Sequence, residues 1–476
     1  MTMVTDHELE LSGFTPGTVY YLHVWSEDSP EITPTFHMAV ATVSESSGAI
    51  EVYFNHITDP SVATESEAVW TLNITDTIIS YINGAEQSLD ITMYDLLGAP
   101  QSIFDAINAR YEAGVQVRYI TDNEPVNVEL DWLNANIPLL RGNETGIMHD
   151  KFIIIDADDV GNSWVMTGSF NQTFANLGWD YNNLICIQDQ SLARSFRVEF
   201  NEMWGSDAAM FDELNAKFSS EKTNNTPHHF IIDGINTELY FSPSDGTSEH
   251  IVEAIDAAEN EIAFAVMAFT ENSIGTATGN AYSSGLDVTG IIDYVEFNGS
   301  EYPYLQGLGI DVMDYVNENG TQWPDGPTLH HKYAILDYAE GRDSPVLITG
   351  SHNWTASANS INDENTLMIH DHRLANIYYQ EYMARRQGLE DVIIDNVHES
   401  GSSVVNVYPN PCVNECRLDI SGNILVYNQQ GILVKAVANY RSNTDLNLED
   451  LSAGYYLLIV QDREGLQLPA LPIIVQ

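Results

Sequence analysis

His149-Asp-Lys151-Phe-Ile-Ile-Ile-Asp156, followed after a short gap by Gly168-Ser169-Phe170-Asn171, is the stretch that decides the fold of this chain. A second copy, His330-His-Lys332-Tyr-Ala-Ile-Leu-Asp337 with Gly350-Ser351-His352-Asn353, begins 181 residues later. Each apolar run has the length of a buried strand. Residues i and i+2 share a face of a strand, so His149 projects with Lys151, Ser169 with Asn171, His330 with Lys332, and Ser351 with Asn353. Each copy thus offers an imidazole, an ammonium, a hydroxyl and an amide to one patch, which suits the negative oxygens of a phosphoryl group. Two such patches facing each other make one site.

Cleaving a phosphodiester needs a nucleophile on one side of phosphorus and a proton donor for the leaving oxygen on the other. Histidine serves either role near neutral pH, and lysine is a compact charge for a phosphate oxygen. No cluster of carboxylates or of Cys and His at metal spacing accompanies the motifs, so neither metal nor cofactor is implied. One His-x-Lys-x4-Asp arises by chance in roughly a few per cent of chains this poor in lysine; two, each followed by Gly-Ser-x-Asn, form a specific signal.

Outward from the motifs, strands and helices alternate: IEVYF from Ile50, a helical stretch near Ile78–Ala85, SLDITMY, a helix around Ile103–Tyr111, then VQVRYIT. The second half repeats this with ELYF at Glu238–Phe241, a helix near Ile251–Ala258 and IAFAVMAF at Ile262–Phe269. A duplicated α/β unit with a mixed sheet in each half is the economical reading. Ser219–Pro227 and Glu399–Ser403 read as polar linkers.

The paired motifs resemble those of the phospholipase D superfamily, over roughly Ile50 to His398. The resemblance implies a bilobal α/β fold and a ping-pong phosphodiesterase acting through a covalent phosphohistidine on His149, with His330 protonating the leaving group. It also implies that Lys151, Lys332, Asn171 and Asn353 hold the phosphate with Ser169 and Ser351 beside them. Asp156 and Asp337 complete the catalytic motifs by supporting their strands. Family members often carry a carboxylate about eleven residues past the Gly-Ser-x-Asn asparagine. Glu364 fills that place in the second half, and Asn182, in Asp180-Tyr-Asn-Asn183, fills it in the first. A carboxylate stabilises imidazolium better than an amide does. Glu364 is therefore expected to support the nucleophile across the interface, leaving His330 the more acidic partner; Asp180 is the alternative to Asn182. Trp179, Tyr181 and Trp354 adjoin the motifs as candidates for a lip that holds a choline headgroup. His331 and His352, of opposite parity, are not counted as catalytic.

Phe14-Thr-Pro-Gly-Thr-Val-Tyr-Tyr-Leu-His-Val-Trp25 looks like the end of a fibronectin type III domain, with Tyr20 as its corner tyrosine. No secretory signal is visible at the start, so the frame is expected to begin inside a domain. From Val404 the chain is β in character. Val407-Tyr-Pro-Asn-Pro411, ILVYNQQGILV and LEDLSAGYYLLIV resemble the C-terminal sorting domain of the type IX secretion system of Bacteroidetes, with a C-terminal β-sandwich. Pro469 and Pro472 stand where a basic residue is usual. The resemblance implies contact with that secretion machinery and a secreted or cell-surface destination. The expected divisions are 1–46 (partial fibronectin-like), 47–218 and 228–398 (the two halves) and 404–476 (sorting domain).

Seventeen Lys and Arg against 69 Asp and Glu give a net charge of −52. Such a balance disfavours long-range steering of nucleic acid and suits an exported protein. A phospholipid, met in transient contact with a lipid surface, is the favoured substrate of what is expected to be a monomer. A nuclease of the same superfamily and a non-catalytic phosphate-binding adhesin are the alternatives. Of three cysteines, Cys412 and Cys416 can pair across a turn, while Cys186 sits in the apolar run LICI as a buried thiol.

Overall fold

The computed structural model describes residues 10–24, 27–28, 31–32, 36–71, 73–123, 127–142, 145–315, 327–398, 407–418, 421–428, 433–452, 454–461 and 471–475. The chain divides into two compact units, one running to Gln387 and one formed mainly by Gly388–Gln476.

Within the larger unit the first lobe is a sheet of β1 (Ile50–Phe54), β2 (Val69–Trp70), β3 (Ser88–Met93), β4 (Gln116–Asp122), β5 (Leu139–Gly142), β6 (Phe152–Ile155), β7 (Trp164–Gly168) and β8 (Asn183–Gln188). Their spatial order is β2-β1-β8-β7-β6-β3-β4-β5. The second lobe has β9 (His229–Ile232), β10 (Ile235–Ser242), β11 (Glu261–Val266), β12 (Asp287–Ile292), β13 (Asp311–Asp314), β14 (Lys332–Leu336), β15 (Val346–Gly350) and β16 (Glu364–Ile369), ordered β9-β10-β16-β15-β14-β11-β12-β13. From β1 and β10 onward the two orders match strand for strand. β3-β4-β5 and β11-β12-β13 are parallel, and the motif strands β6 and β14 run antiparallel to β3 and β11. The lobes differ at one edge, where β2 is parallel to β1 and β9 antiparallel to β10.

One face of each sheet is covered by amphipathic helices. In α1 (Ile74–Asn83), Ile74, Ile78 and Ile82 recur every four residues and are buried; α2 (Gln101–Glu112) adds Ile103, Phe104 and Ile107 to the same core. In the second lobe α4 (Thr247–Ala257) and α5 (Asn272–Ser283) do likewise, through Ile251, Ile255 and Ile274. The other face of each sheet meets the opposite lobe, which is why the motif strands are apolar on both sides. Two helices are shared there. In α3 (Gln190–Trp204), Phe196 lies 5.1 Å from Phe152 of its own lobe and 5.1 Å from Phe241 of the other; in α6 (His372–His398), Tyr378 lies 5.0 Å from Tyr333 and 5.3 Å from Phe54. Such edge-on aromatic pairs, repeated by pseudo-symmetry, fix the lobes on each other.

Ser219–Pro227 is more than a linker. Lys222 is buried, paired with Glu199 of α3 and lying 3.4 Å from Asp363, and Ser219 N donates to Asp363 at 2.7 Å. A lone lysine among polar residues signals a tether by composition alone, whereas the buried acids that draw it inward come from distant positions. At the N-terminus Val19–Val24 pairs with Phe36–Ala41 as a ribbon, and Tyr20 Oη accepts from Thr15 N at 2.8 Å.

The smaller unit holds β17 (Val407–Val413), β18 (Glu415–Leu418), β19 (Gly422–Asn428), β20 (Leu433–Tyr440), β21 (Leu446–Asn447), β22 (Gly454–Gln461) and β23 (Leu471–Val475), ordered β20-β19-β22-β23-β17-β18-β21. Its core is Cys412, Cys416, Leu418, Ile424, Val426, Leu458, Val460 and Ile473.

Candidate active site

His149 and Lys151 immediately precede β6, and His330 precedes β14, which opens at Lys332. Gly168 and Gly350 end β7 and β15, with φ of 142° and 150°; a Cβ would meet the carbonyl oxygen of Asn183 at 2.3 Å in one and of Asn365 at 2.2 Å in the other. Glycine is required there so that Ser169 and Ser351 can turn in after their strands. The motif side chains therefore stand at strand ends rather than within strands, on the edge where the parallel strands of both sheets terminate.

Each lobe supplies a histidine and the other lobe holds it. His149 N donates to Asp363 O at 2.9 Å, and His330 N to Tyr181 O at 3.0 Å. His149 Nδ1 donates to Glu364 Oε2 at 2.7 Å, and His330 Nδ1 to Asn182 Oδ1 at 2.8 Å. Asn182 Oδ1 also accepts from Ser169 Oγ at 2.8 Å, and its amide nitrogen donates to Asn176 O at 3.2 Å. With Nδ1 protonated in each ring, Nε2 is the free nitrogen on both histidines. The next residue on each strand repeats the exchange: Asn365 Nδ2 donates to Asp150 Oδ1 at 2.8 Å, and Asn183 Nδ2 meets His331 Nδ1 at 3.1 Å. Lys151 and Lys332 each donate to the carbonyl of their own motif histidine, at 2.7 and 2.8 Å.

The family described as cardiolipin synthase, phospholipase D-like domain, matches residues 78–204 and 251–386, more than half of the chain and a part of each lobe. The chain belongs to the phospholipase D family. A secretion system C-terminal sorting domain matches residues 406–470. Among curated relatives, a mitochondrial cardiolipin hydrolase of Mus musculus is 30% identical over 141 residues, 29% of this chain and 58% of that protein. A phospholipase D of Rickettsia prowazekii (strain Madrid E) is 31% identical over 154 residues, 32% of this chain and 68% of that one. The chain thus spans somewhat over half the length of the mammalian relative. The structure titled phosphatidylserine synthase of Haemophilus influenzae Rd KW20 is 13% identical, with a TM-score of 0.47 over 72% of this chain and 86% of that one.

In this phospholipase D-like site the electrostatics follow from burial. His149 and His330 keep only 5% and 7% of their surface exposed. Burial, reinforced by Lys151 and Lys332, pushes both imidazoles well below their usual range. Burial lowers Lys151 to about 7 and Lys332 well below an ordinary lysine, and it raises Glu364 to about 7. Burial thus opposes charge on each of these groups, and an anion beside the two lysines would favour their charged forms.

The remaining sequence candidates fall into place around the pair. Asp156 and Asp337 spend their carboxylates on backbone: Asp156 accepts from the N–H groups of Glu86, Gln87 and Ser88, each at 2.7 Å, and Asp337 from those of Glu259, Asn260 and Glu261 at 2.9, 2.7 and 3.3 Å. Asn171 and Asn353 keep their buried side-chain oxygens without a partner among the described residues. Asp180 does not replace Asn182, because its carboxylate accepts from Thr328 N at 2.8 Å and Asn176 Nδ2 at 2.7 Å. Trp354 forms no lip: it is buried, with its ring 4.9 Å from Phe269. Tyr181 lies under the Arg385 guanidinium at 4.2 Å, and Trp179 gives its carbonyl to His56. His331 is pinned by Glu381 at 2.9 Å, and His352 is buried with neither ring nitrogen partnered among the described residues.

Sequence reading missed three further pairs. Asp122 accepts from Met148 N and Asp293 from Leu329 N, both at 2.6 Å, fixing the residue before each histidine. Thr167 donates to Asn365 at 2.8 Å and Thr349 to Asn183 at 3.2 Å across the lobes. Tyr94 sets its ring 4.9 Å from His149 and 5.3 Å from Lys151 Nζ, and Met267 Sδ lies 3.9 Å from Lys332 Nζ. Asp122, Tyr94, Asp293 and Met267 sit at or just past the C-terminal ends of parallel strands, a position that alone marks them as site candidates.

Proposed function

We propose that this chain is an exported phosphodiesterase that releases the headgroup alcohol of a glycerophospholipid through a phosphohistidine on His149. The observation that carries the reading is the reciprocal bracing, His149 by Glu364 and His330 by Asn182, which leaves one free Nε2 on each side of the lobe interface. With the substrate anion bound, His330 first takes up a proton on Nε2 and becomes imidazolium; the His149 Nε2 lone pair then attacks phosphorus, the bond to the headgroup oxygen breaks, and His330 gives that oxygen its Nε2 proton. Water then attacks the phosphohistidine as His330 takes a proton back, and the N–P bond breaks to release phosphatidic acid. Lys151, Lys332, Asn171 and Asn353 hold the non-bridging oxygens; Ser169 and Ser351 steady the groups behind the histidines.

The names of the relatives, a cardiolipin hydrolase and a phospholipase D, favour a lipid. So does local charge. Asp95 and Asp122 lie in the field of Lys151, and Asp180 and Asp293 in that of Lys332. A polyanionic strand would find acids beside the only two motif cations, whereas nucleic-acid channels are lined with basic groups.

The full chain is incubated with phosphatidylcholine vesicles and, separately, with plasmid DNA, each beside His149→Ala. Choline release that vanishes in the variant is the expected result, with a covalent phosphoryl adduct on His149 after acid quench. Nicking of DNA without choline release would make the chain a nuclease; neither activity would leave a phosphate-binding surface protein.

A further inference from the structure

Two of the chain's three cysteines fall within five residues of each other in the sorting domain, Cys412-Val-Asn-Glu-Cys416. The domain places them face to face. β17 and β18 form a hairpin in which Val413 pairs with Glu415 and Asn414 makes the turn with φ of 63°. Cys412 and Cys416 are the next residues outward on the two strands. Alternation along a strand sends both side chains to the face opposite that of Val413 and Glu415, which are exposed. That face is the core: Cys412 and Cys416 retain 0% and 1% exposure and belong to one apolar cluster. Each thiol perturbs the other, lowering Cys412 and raising Cys416. The ladder shifts register between Tyr408 and Val413, so Cys412 and Cys416 are neighbours across the turn rather than a regular pair; a disulfide needs Cα atoms about 4.4–6.8 Å apart, a separation that residues flanking a tight turn reach.

We infer that Cys412 and Cys416 are joined by a disulfide in the folded sorting domain once it has left the cytoplasm, stapling the β17–β18 hairpin that carries Val407-Tyr-Pro-Asn-Pro411. The reaction joins two thiols in one S–S bond and passes two electrons and two protons to a disulfide oxidant, itself reduced to a dithiol. An exterior compartment supplies such an oxidant; the geometry itself does not depend on the proposed activity. The hairpin is held elsewhere by few strand partners. Among the described residues β18 pairs beyond β17 only with the two-residue strand β21, at Cys416–Leu446 and Glu415–Asn447. A domain of this size also builds a modest core, where a covalent tie contributes most. Cys186 stays outside the chemistry, buried in β8 with its thiol pushed up by burial.

Trypsin decides the matter, because no Lys or Arg lies between Arg386 and Arg417, so both cysteines leave in one peptide. The full-length protein is equilibrated in a glutathione buffer at an oxidising, extracellular-like potential, denatured, alkylated and digested. The expected result is one alkylated thiol per chain, at Cys186, and a 387–417 peptide lighter by two hydrogens and free of label. Reductant should lower the unfolding midpoint of the sorting domain in the wild type and leave Cys412→Ala/Cys416→Ala unchanged. Alkylation of both cysteines in that peptide, in protein that remains folded in the oxidising buffer, would overturn the inference, as would a mixed disulfide with glutathione at either position.

Discussion

Glu364 and Asn182 occupy equivalent places in the two lobes, and the difference between a carboxylate and an amide is what distinguishes the histidines they hold. A charge-assisted hydrogen bond contributes about 1.5–3 kcal/mol, or about tenfold to a hundredfold in rate. Glu364→Gln is therefore expected to slow adduct formation on His149 by about that factor in single-turnover measurements; an unchanged rate would remove Glu364 from the nucleophile's support. Two groups shape the alkaline limb of kcat/KM: His330, the proton donor, which burial holds well below the usual imidazole range, and Lys151, which sits at about 7 in the free enzyme and loses its ammonium as pH rises through that value. A bound phosphodiester anion favours the charged form of both, so the corresponding limb of kcat should lie at higher pH. Lys151→Arg, which stays charged, should remove the component of the kcat/KM limb near pH 7 and leave the His330 component. Asp156 behaves differently. Asp156→Ala removes the acceptor of three partly buried backbone donors and should cost at most about 1 kcal/mol for each, seen as a lower denaturation midpoint, with activity per folded molecule largely kept. At this scale the motifs made the histidines, lysines and Glu364 legible from sequence. Tyr94, Asp122 and Thr167 were not, since single residues of common types carry no pattern until the fold gathers them.

Among the elements, the segment Ser219–Pro227 carries the clearest consequence. Lys222 is buried beside Glu199 and Asp363, and its charge also acts on Asp150; burial lifts both aspartates to about 6. Asp150 follows His149 and Asp363 precedes Glu364, so the segment joining the lobes offsets the acids that flank the proposed nucleophile and the carboxylate that holds it. Lys222→Met should destabilise the protein by about 3–5 kcal/mol, because buried acids are left without their cation. The sign of its pH dependence follows: carboxylates raised on folding take up protons in the folded state, so stability falls as pH rises from the ordinary carboxylate range. The deficit against wild type should be largest near neutral pH and shrink toward pH 5, a trend urea titrations at several pH values will show. The alternation of strands and helices was plain in hydrophobic periodicity. Edge strands such as β2 and β9, and the burial of Lys222, depend on partners far along the chain and left no local trace.

At the scale of the whole molecule the repeat is the design. Motif spacing of 181 residues announced it, and matching strand orders, reciprocal histidine braces and the paired Phe196 and Tyr378 contacts express it as a pseudo-two-fold. The sorting domain was legible from its Tyr-Pro-Asn-Pro run and strand pattern, and its family match agrees. The balance of lysine and acid around the site bears on the proposed lipid substrate: acids stand beside both motif lysines among the described residues, so hydrolysis should vary little with salt, as expected without large counterion release. The central claim is that one phosphorus is gripped from both lobes. Steady-state hydrolysis by folded His149→Ala and His330→Ala, each measured alone, tests it most directly. Two imidazoles serving one phosphorus predict that either change removes essentially all turnover, by about a thousandfold or more. Retention of about half the wild-type rate in each variant would mean two independent sites and would contradict the account.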